Sequence, residues 1–183
     1  PIRRMIVDRM ITSSTQIPEA WTTVEADVTN LVLLRQRLKS YFSDLKTMNV
    51  TYMPFIVNAV AESLAAHPLV NSTWGGDSII LKRNINIGVA TSTPEGLVVP
   101  VVHRPRPMNI LALSQVIDDL VTRARSGQLK VPEVQGGTFT VNNTGALGSI
   151  YGKALINHPQ AAILNTETIV KRPVVVNDSI AIR

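Results

Sequence analysis

Apolar residues fall at helical spacing in four stretches of this chain. Between residues 3 and 13, Met5, Ile6, Met10 and Ile11 stand among charges, which predicts a short amphipathic helix. Leu31, Leu34, Leu38 and Phe42 mark one face of a second helix, capped by Asp27 or Thr29 and reaching about Leu45. A third begins with Pro54 in its first turn and buries Ile56, Val57, Val60 and Leu64. It must stop at His67, because Pro68 disfavours helical backbone in the residue before it. Leu111, Leu113, Val116, Ile117, Leu120 and Val121 predict the fourth over residues 110–125, closed by Gly127.

Elsewhere the pattern is that of strands. Residues 21–27 alternate and are rich in Thr and Val, so they predict a strand. Residues 79–81 and 85–92 are further strands, and Thr93-Pro94-Glu95-Gly96 is a turn into a strand over 97–102. Their nearly unbroken apolar runs suit strands covered on both faces. From Thr138 to Ile182 the chain reads as strand after strand, broken at Gly145, Gly148, Asn157-His158-Pro159, Arg172-Pro173 and Asn177-Asp178. No repeat, linker or low-complexity segment interrupts residues 1–183. The expectation is one α+β domain with helices covering one face of a mixed sheet.

Composition narrows the function classes. Of 183 residues 45% are hydrophobic but only 4% aromatic, so the core must be built from Val, Ile, Leu and Ala. No apolar run is long enough to cross a bilayer as a helix, and no membrane partner is expected. The absence of cysteine removes disulfides, thiolate metal sites and a Cys nucleophile, and fits a reducing compartment. The net charge of +5 comes from scattered groups such as Arg3-Arg4, Lys82-Arg83, Arg104, Arg106 and Lys171-Arg172. With few aromatics beside them, nucleic-acid binding is not expected, and a polyanionic partner or simple solubility fits better. The sequence begins at Pro1 without a methionine and reads as a piece of something longer.

Candidate chemistry concentrates at residues 136–145. Gly136-Gly137-Thr138-Phe139-Thr140-Val141 suits a strand, and Asn142-Asn143-Thr144-Gly145 is a tight polar corner at its end. Two adjacent asparagines there offer amide donors and carbonyl acceptors to a bound group. The three histidines read as structural or exposed: His67 closes a helix, His103 ends a strand beside Arg104 and Arg106, and His158 sits in an Asn-His-Pro turn. None is followed by an Asp and Gly that would orient it as a base. No G-x-S-x-G elbow, phosphate loop or metal-spaced cluster occurs. Thr12, Ser13, Ser14 and Thr15 read as a solvated helix end.

The segments resemble, in order, the catalytic domain of the dihydrolipoamide acyltransferase (E2) components of 2-oxo acid dehydrogenase complexes. The resemblance rests on Arg3-Arg4-Met5-Ile6-Val7-Asp8-Arg9-Met10, Ile17-Pro18-Glu19-Ala20-Trp21, Tyr52-Met53-Pro54-Phe55 and His67-Pro68 with Asn71. It continues through Ile87-Gly88-Val89-Ala90-Thr91, Gly96-Leu97-Val98-Val99-Pro100, residues 136–145 and Pro159-Gln160-Ala161-Ala162-Ile163-Leu164. It spans essentially the whole chain. The Asn-Asn-Thr-Gly corner and Ile169-Val170-Lys171-Arg172-Pro173 look most like bacterial branched-chain members.

That resemblance implies a chloramphenicol acetyltransferase-like fold. It implies a homotrimer assembling, as eight or twenty trimers, into a hollow core that serves the E1 and E3 components. Lipoyl and subunit-binding domains would precede the catalytic domain, with the lipoate carried on that separate lipoyl domain. Coenzyme A, a phosphate-bearing polyanion, would be the acyl-accepting substrate. The location implied is the bacterial cytoplasm, or the mitochondrial matrix in a eukaryote. Asn142 stands where many relatives carry the serine that donates to the oxyanion, with Thr144 a local alternative donor. Coenzyme A contacts would come from Arg35, Thr51, Ser92, Asn142 and Asn143, with Arg35 the phosphate partner. Two departures bear on activity. Glu19 stands where many relatives have a histidine, and the family's base lies in an H-x-x-x-D-G motif just past the position of Arg183. Residues 1–183 as written are therefore expected to bind coenzyme A without transferring acyl groups efficiently. A non-catalytic core scaffold of the same family is the alternative.

Overall fold

The computed structural model describes residues 2–44 and 50–183, with side chains omitted at a few helix positions. Helix α1 spans Ile2–Gln16 and α2 spans Thr29–Asp44, where the Asp27 carboxylate accepts the Thr29 N–H at 2.9 Å. The expected end at Leu45 lies outside the described residues. Leu31 and Leu38 on α2 are half-buried, but Leu34 is exposed. Spacing identifies a helix face without saying what covers it. Helix α3 runs Met53–Ala66 with a proline in its first turn, and it stops at His67 as the following Pro68 requires.

Two short strands, β1 (Ser72–Trp74) and β2 (Ile79–Leu81), form an antiparallel ribbon. The run expected over 85–92 is divided into β3 (Asn86–Val89) and β4 (Thr91–Thr93), and that over 97–102 into β5 (Gly96–Val98) and β6 (Val101–His103). The division falls at Ala90 and at Pro100, where the two segments change partners. β3 pairs with β6, whereas β4 pairs only with β5 through the Pro94-Glu95 turn. Helix α4 covers Ile110–Arg125. Asn109 Oδ1 accepts the Ala112 N–H at 2.9 Å at its start, and Gly127 takes φ +68 just past its end.

Strands β7 (Phe139–Asn143) and β8 (Ile163–Thr166) complete a four-stranded mixed sheet in the order β6-β3-β7-β8. β3, β7 and β8 run parallel, and β6 is antiparallel to β3. A final antiparallel ribbon joins β9 (Pro173–Val176) and β10 (Ser179–Ile182). Val57, Val60, Ala61 and Leu64 of α3 meet Leu113, Ile117 and Leu120 of α4, and both sets pack on Ile87, Val89, Val102, Phe139 and Val141 of the sheet. Each such side chain stabilises the fold by roughly 1.5–3 kcal/mol through burial alone. Among the described residues Phe139 is the one aromatic in that cluster, in keeping with the aliphatic composition.

Three expectations are corrected. Residues 21–27 form no strand: every side chain from Ala20 to Asp27 is exposed, and no neighbouring strand takes their backbone groups among the described residues. Alternation without a partner does not make a sheet. The stretch after Thr138 holds only β7 to β10, because residues 144–162 are a 3-10 turn over Thr144–Leu147 followed by irregular chain. Finally, Ser13 is not solvated. It is 5% exposed, and its Oγ accepts the His158 N–H at 3.3 Å.

Candidate active site

The pleat of β7 decides which residues can act together. Side chains alternate along a strand. Phe139 and Val141 therefore face the helices beside Ile87 and Val89, and Thr140 and Asn142 face the other way. On that second face Thr140 Oγ1 donates to Gln160 Oε1 at 2.6 Å, and Gln160 Nε2 donates to the Gly137 carbonyl at 3.1 Å. Gln160 is buried, so this pair fixes the polar lining at the entry to the corner. Asn142 and Asn143, adjacent in sequence, are separated by the pleat and cannot both face one ligand atom.

Asn142 pairs in register with Asn165 of β8, and its Nδ2 donates to Asn165 Oδ1 at 2.9 Å. Asn165 Nδ2 in turn donates to Glu167 Oε1 at 2.6 Å. Thr144 Oγ1 lies 2.9 Å from Glu167 Oε2 and 3.0 Å from Asn165 Nδ2. An ionised carboxylate only accepts, so the Thr144 proton points to Glu167, while the hydroxyl oxygen accepts from Asn165. Among the described residues the second N–H of Asn142 has no partner. Asn143 Oδ1 is spent as a cap, accepting the Ala146 N–H at 3.2 Å.

Gly145 lets this corner close. A Cβ there would fall well under 3.0 Å from the backbone of Glu167 and Thr168. Thr168 fastens the same corner, donating from its Oγ1 to Ser149 O at 2.7 Å, with Gly145 O 3.2 Å from the same oxygen.

The other expected residues lie in two places. Ser92 is exposed on β4, two residues after Ala90, whose N–H donates to Val141 O at 2.9 Å. Ser92 thus stands at the same sheet end as Asn142. Arg35 contacts the two residues that flank Thr51: its Nε donates to Val50 O at 3.0 Å, and its guanidinium stands 4.8 Å from the Tyr52 ring centre. Arg35 forms no ion pair among the described residues. No described bond joins Arg35 and Thr51 to the Asn142 corner. None of His67, His103 or His158 reaches it either: all are exposed, and His103 Nε2 lies 3.2 Å from Pro132 O.

Glu19 has a structural post of its own. Its side chain is 7% exposed, 2.9 Å from Lys153 Nζ, and accepts the Ile156 N–H at 2.9 Å. The Ile156 N–H and the Lys153 ammonium together hold its carboxyl below the usual carboxylate range. With the Trp21–Tyr151 edge contact at 5.6 Å, it moors residues 17–21 on the irregular chain beyond the corner.

Sequence reasoning missed Gln160, Asn165 and Glu167, which orient the corner. Asn165-Thr166-Glu167 does follow the apolar pair Ile163-Leu164 as a polar strand end. Its partner, however, lies more than twenty residues upstream, and only the parallel register brings them together.

The chain matches the 2-oxoacid dehydrogenases acyltransferase (catalytic domain) family over residues 1–183. It is 46% identical, over its whole length, to the lipoamide acyltransferase component of the branched-chain alpha-keto acid dehydrogenase complex of Bacillus subtilis, and spans 43% of that protein. Against the dihydrolipoyllysine-residue acetyltransferase component of the pyruvate dehydrogenase complex of Mycobacterium bovis it is 36% identical, spanning 34%. The chain thus covers less than half of these relatives' length. Among solved structures, a probable dihydrolipoamide acetyltransferase from Listeria monocytogenes superposes with a TM-score of 0.96 at 44% identity, covering all of this chain and 78% of that one. The cubic core of a pyruvate dehydrogenase multienzyme complex superposes at 0.94 with 27% identity, covering 99% of this chain and 75% of that one. Sequence and fold agree: this chain belongs to the 2-oxoacid dehydrogenase acyltransferase family, matching its catalytic-domain description over residues 1–183.

Proposed function

We propose that this domain moves an acyl group between dihydrolipoyl-lysine and coenzyme A in a branched-chain 2-oxo acid dehydrogenase complex. The observation that carries the reading is the Asn142 amide at the end of β7, clamped by Asn165 with one N–H that has no partner among the described residues. The 46% identity to a branched-chain relative supports the substrate class.

The reaction is thioester exchange. The coenzyme A thiol loses its proton to a base, and the thiolate attacks the carbonyl of the acyl-dihydrolipoyl group. A C–S bond forms, the carbonyl oxygen becomes an oxyanion, and the old C–S bond then breaks. The departing dihydrolipoyl thiolate takes up a proton. Asn142 Nδ2–H donates to the oxyanion, and such a donor contributes about 3 kcal/mol to the transition state. Asn143 caps the turn behind it. Arg35, beside Thr51 and Tyr52, takes a phosphate of coenzyme A, and Ser92 lines the thiol end. The base is the histidine of the family's H-x-x-x-D-G motif, which is not among residues 1–183.

The same reading makes the domain a trimer within a larger core, visited by a lipoyl domain and by the E1 and E3 components, in the cytoplasm of a bacterium. The test is an acyl-transfer assay on the parent protein, extended through whatever follows Arg183, with isobutyryl-, acetyl- and succinyl-coenzyme A. Fastest transfer from the branched-chain thioester supports the proposal. Preference for acetyl or succinyl overturns the substrate class. An assembled particle with no transfer from any thioester makes the domain a scaffold.

A further inference from the structure

Glu167 is a half-buried carboxylate that neither the family chemistry nor the assigned contacts employ. It sits just past β8 with both oxygens engaged, by Thr144 Oγ1 at 2.9 Å and Asn165 Nδ2 at 2.6 Å. An amide side chain presents a donor at one end and an acceptor at the other, so what it offers depends on which way round it stands. Glu167 removes that choice. Because its carboxylate can only accept, Asn165 must turn its nitrogen toward Glu167 and its carbonyl toward Asn142. Asn165 Oδ1 can then only accept, so Asn142 must turn its own nitrogen inward, at 2.9 Å.

The Thr144 hydroxyl locks the arrangement from the side. It donates to Glu167 Oε2 and accepts from Asn165 Nδ2 at 3.0 Å. A longer contact from Asn165 Nδ2 to the Gly152 carbonyl at 3.4 Å points the same way. The two hydrogens of Asn165 Nδ2 are taken by its two nearest acceptors, Glu167 Oε1 at 2.6 Å and Thr144 Oγ1 at 3.0 Å, and one Nδ2–H of Asn142 has no partner among the described residues. The negative charge stays one residue removed from the reacting carbonyl. A carboxylate in direct contact with an oxyanion would raise its energy, whereas a carboxylate acting through an intervening amide orients the donor without touching the substrate.

We propose that Glu167 is a positioning residue for acyl transfer, setting through Asn165 and Thr144 the amide orientation in which Asn142 offers an N–H to the tetrahedral oxyanion. This rests on the assignment of Asn142 made above. Thr144 accordingly serves as a lock, its proton committed to Glu167, and Asn142 is the donor.

The test is a double-mutant cycle in the full-length assembled protein, reading kcat, the KM for coenzyme A and Tm for Asn142→Ala, Glu167→Gln and the pair. Gln brings a donor where the network needs only acceptors, at nearly unchanged volume. Glu167→Gln is expected to lower kcat by about tenfold or more, as the loss of an orienting partner typically does, with KM changed by less than about twofold. In the Asn142→Ala background the same change is expected to cost less than about twofold, since there is no amide left to orient. An equal loss in both backgrounds, or no loss in the wild type, overturns the proposal. Should Asn142→Ala alone leave kcat intact, the oxyanion assignment itself fails, which is a separate outcome. If Glu167→Gln does not fold, Asn165→Ala must show the same coupling to Asn142, and Thr144→Val must lose more kcat than Thr144→Ser. Failure of either ordering rejects the relay.

Discussion

Gly145→Ala isolates the geometric demand of the corner. Position 145 lies where the end of β7 turns against the backbone just past β8, and an added Cβ would meet the Glu167 carbonyl and the Thr168 N–H well inside 3.0 Å. Non-bonded carbons settle at about 3.5–4.0 Å, so the two segments would have to part by on the order of 1 Å. Neither is the free end of a flexible side chain: Thr168 is held to Ser149 O by its hydroxyl at 2.7 Å and by its backbone N–H at 3.0 Å. Overpacking of this kind costs about 1–3 kcal/mol, equivalent to a Tm lower by roughly 2–10 °C in a domain of this size. The larger effect falls on activity. Thr144 and Asn142 would move relative to Glu167 and Asn165, and a displacement of about 1 Å in a catalytic group costs about a hundredfold in rate. Acyl transfer to coenzyme A at saturating substrate, beside thermal unfolding, reads both. Gly127→Ala is the control: its φ of +68 is strained for alanine but the position is open and remote from the corner, so about 1 kcal/mol is lost without a change in kcat. A Gly145→Ala protein within about threefold of wild-type kcat would refute the account of the corner.

Other outcomes follow from the same bonds. Leu113, fully buried between α3, α4 and the sheet, should cost about 2–5 kcal/mol when cut to alanine, read by urea unfolding. Glu133 accepts both Arg123 bonds, at 2.6 and 2.7 Å, and the guanidinium with the Lys130 N–H depresses its pKa to about 2. A depressed folded pKa contributes stability that is complete above the unfolded value near 4.5 and is lost as pH falls toward 2. The unfolding midpoint of Glu133→Gln should therefore be lower than wild type at neutral pH. It should converge on wild type across that acid window, and a constant gap would contradict the sign.

The fold was legible where a pattern was local. Helix α4 matches its expected span of 110–125 because its apolar stripe, its Asn109 cap and Gly127 all agree. Residues 21–27 alternate as convincingly as a real strand, yet no partner strand lies beside them among the described residues. What moors that region is Glu19 on Lys153 and Ile156, together with ion pairs from Glu25 to Arg172 and Asp27 to Arg183. Contacts across more than a hundred residues leave no trace in a window of ten. The site divides in the same way. The Asn142 corner announces itself through its glycines and paired amides, whereas Asn165 and Glu167 look like ordinary polar residues until the parallel register of β7 and β8 sets them opposite it. The pleat also separates Asn142 from Asn143, leaving one with a donor unpartnered among the described residues and making the other a cap.

The most direct test is the single-turnover rate of acyl transfer in Asn142→Ala, measured in the complete assembled protein with a branched-chain acyl thioester. Loss of one oxyanion donor predicts a fall of about a hundredfold or more in the rate, with coenzyme A affinity nearly unchanged. A rate equal to wild type in a folded, assembled protein would contradict the claim that the end of β7 holds the transition state.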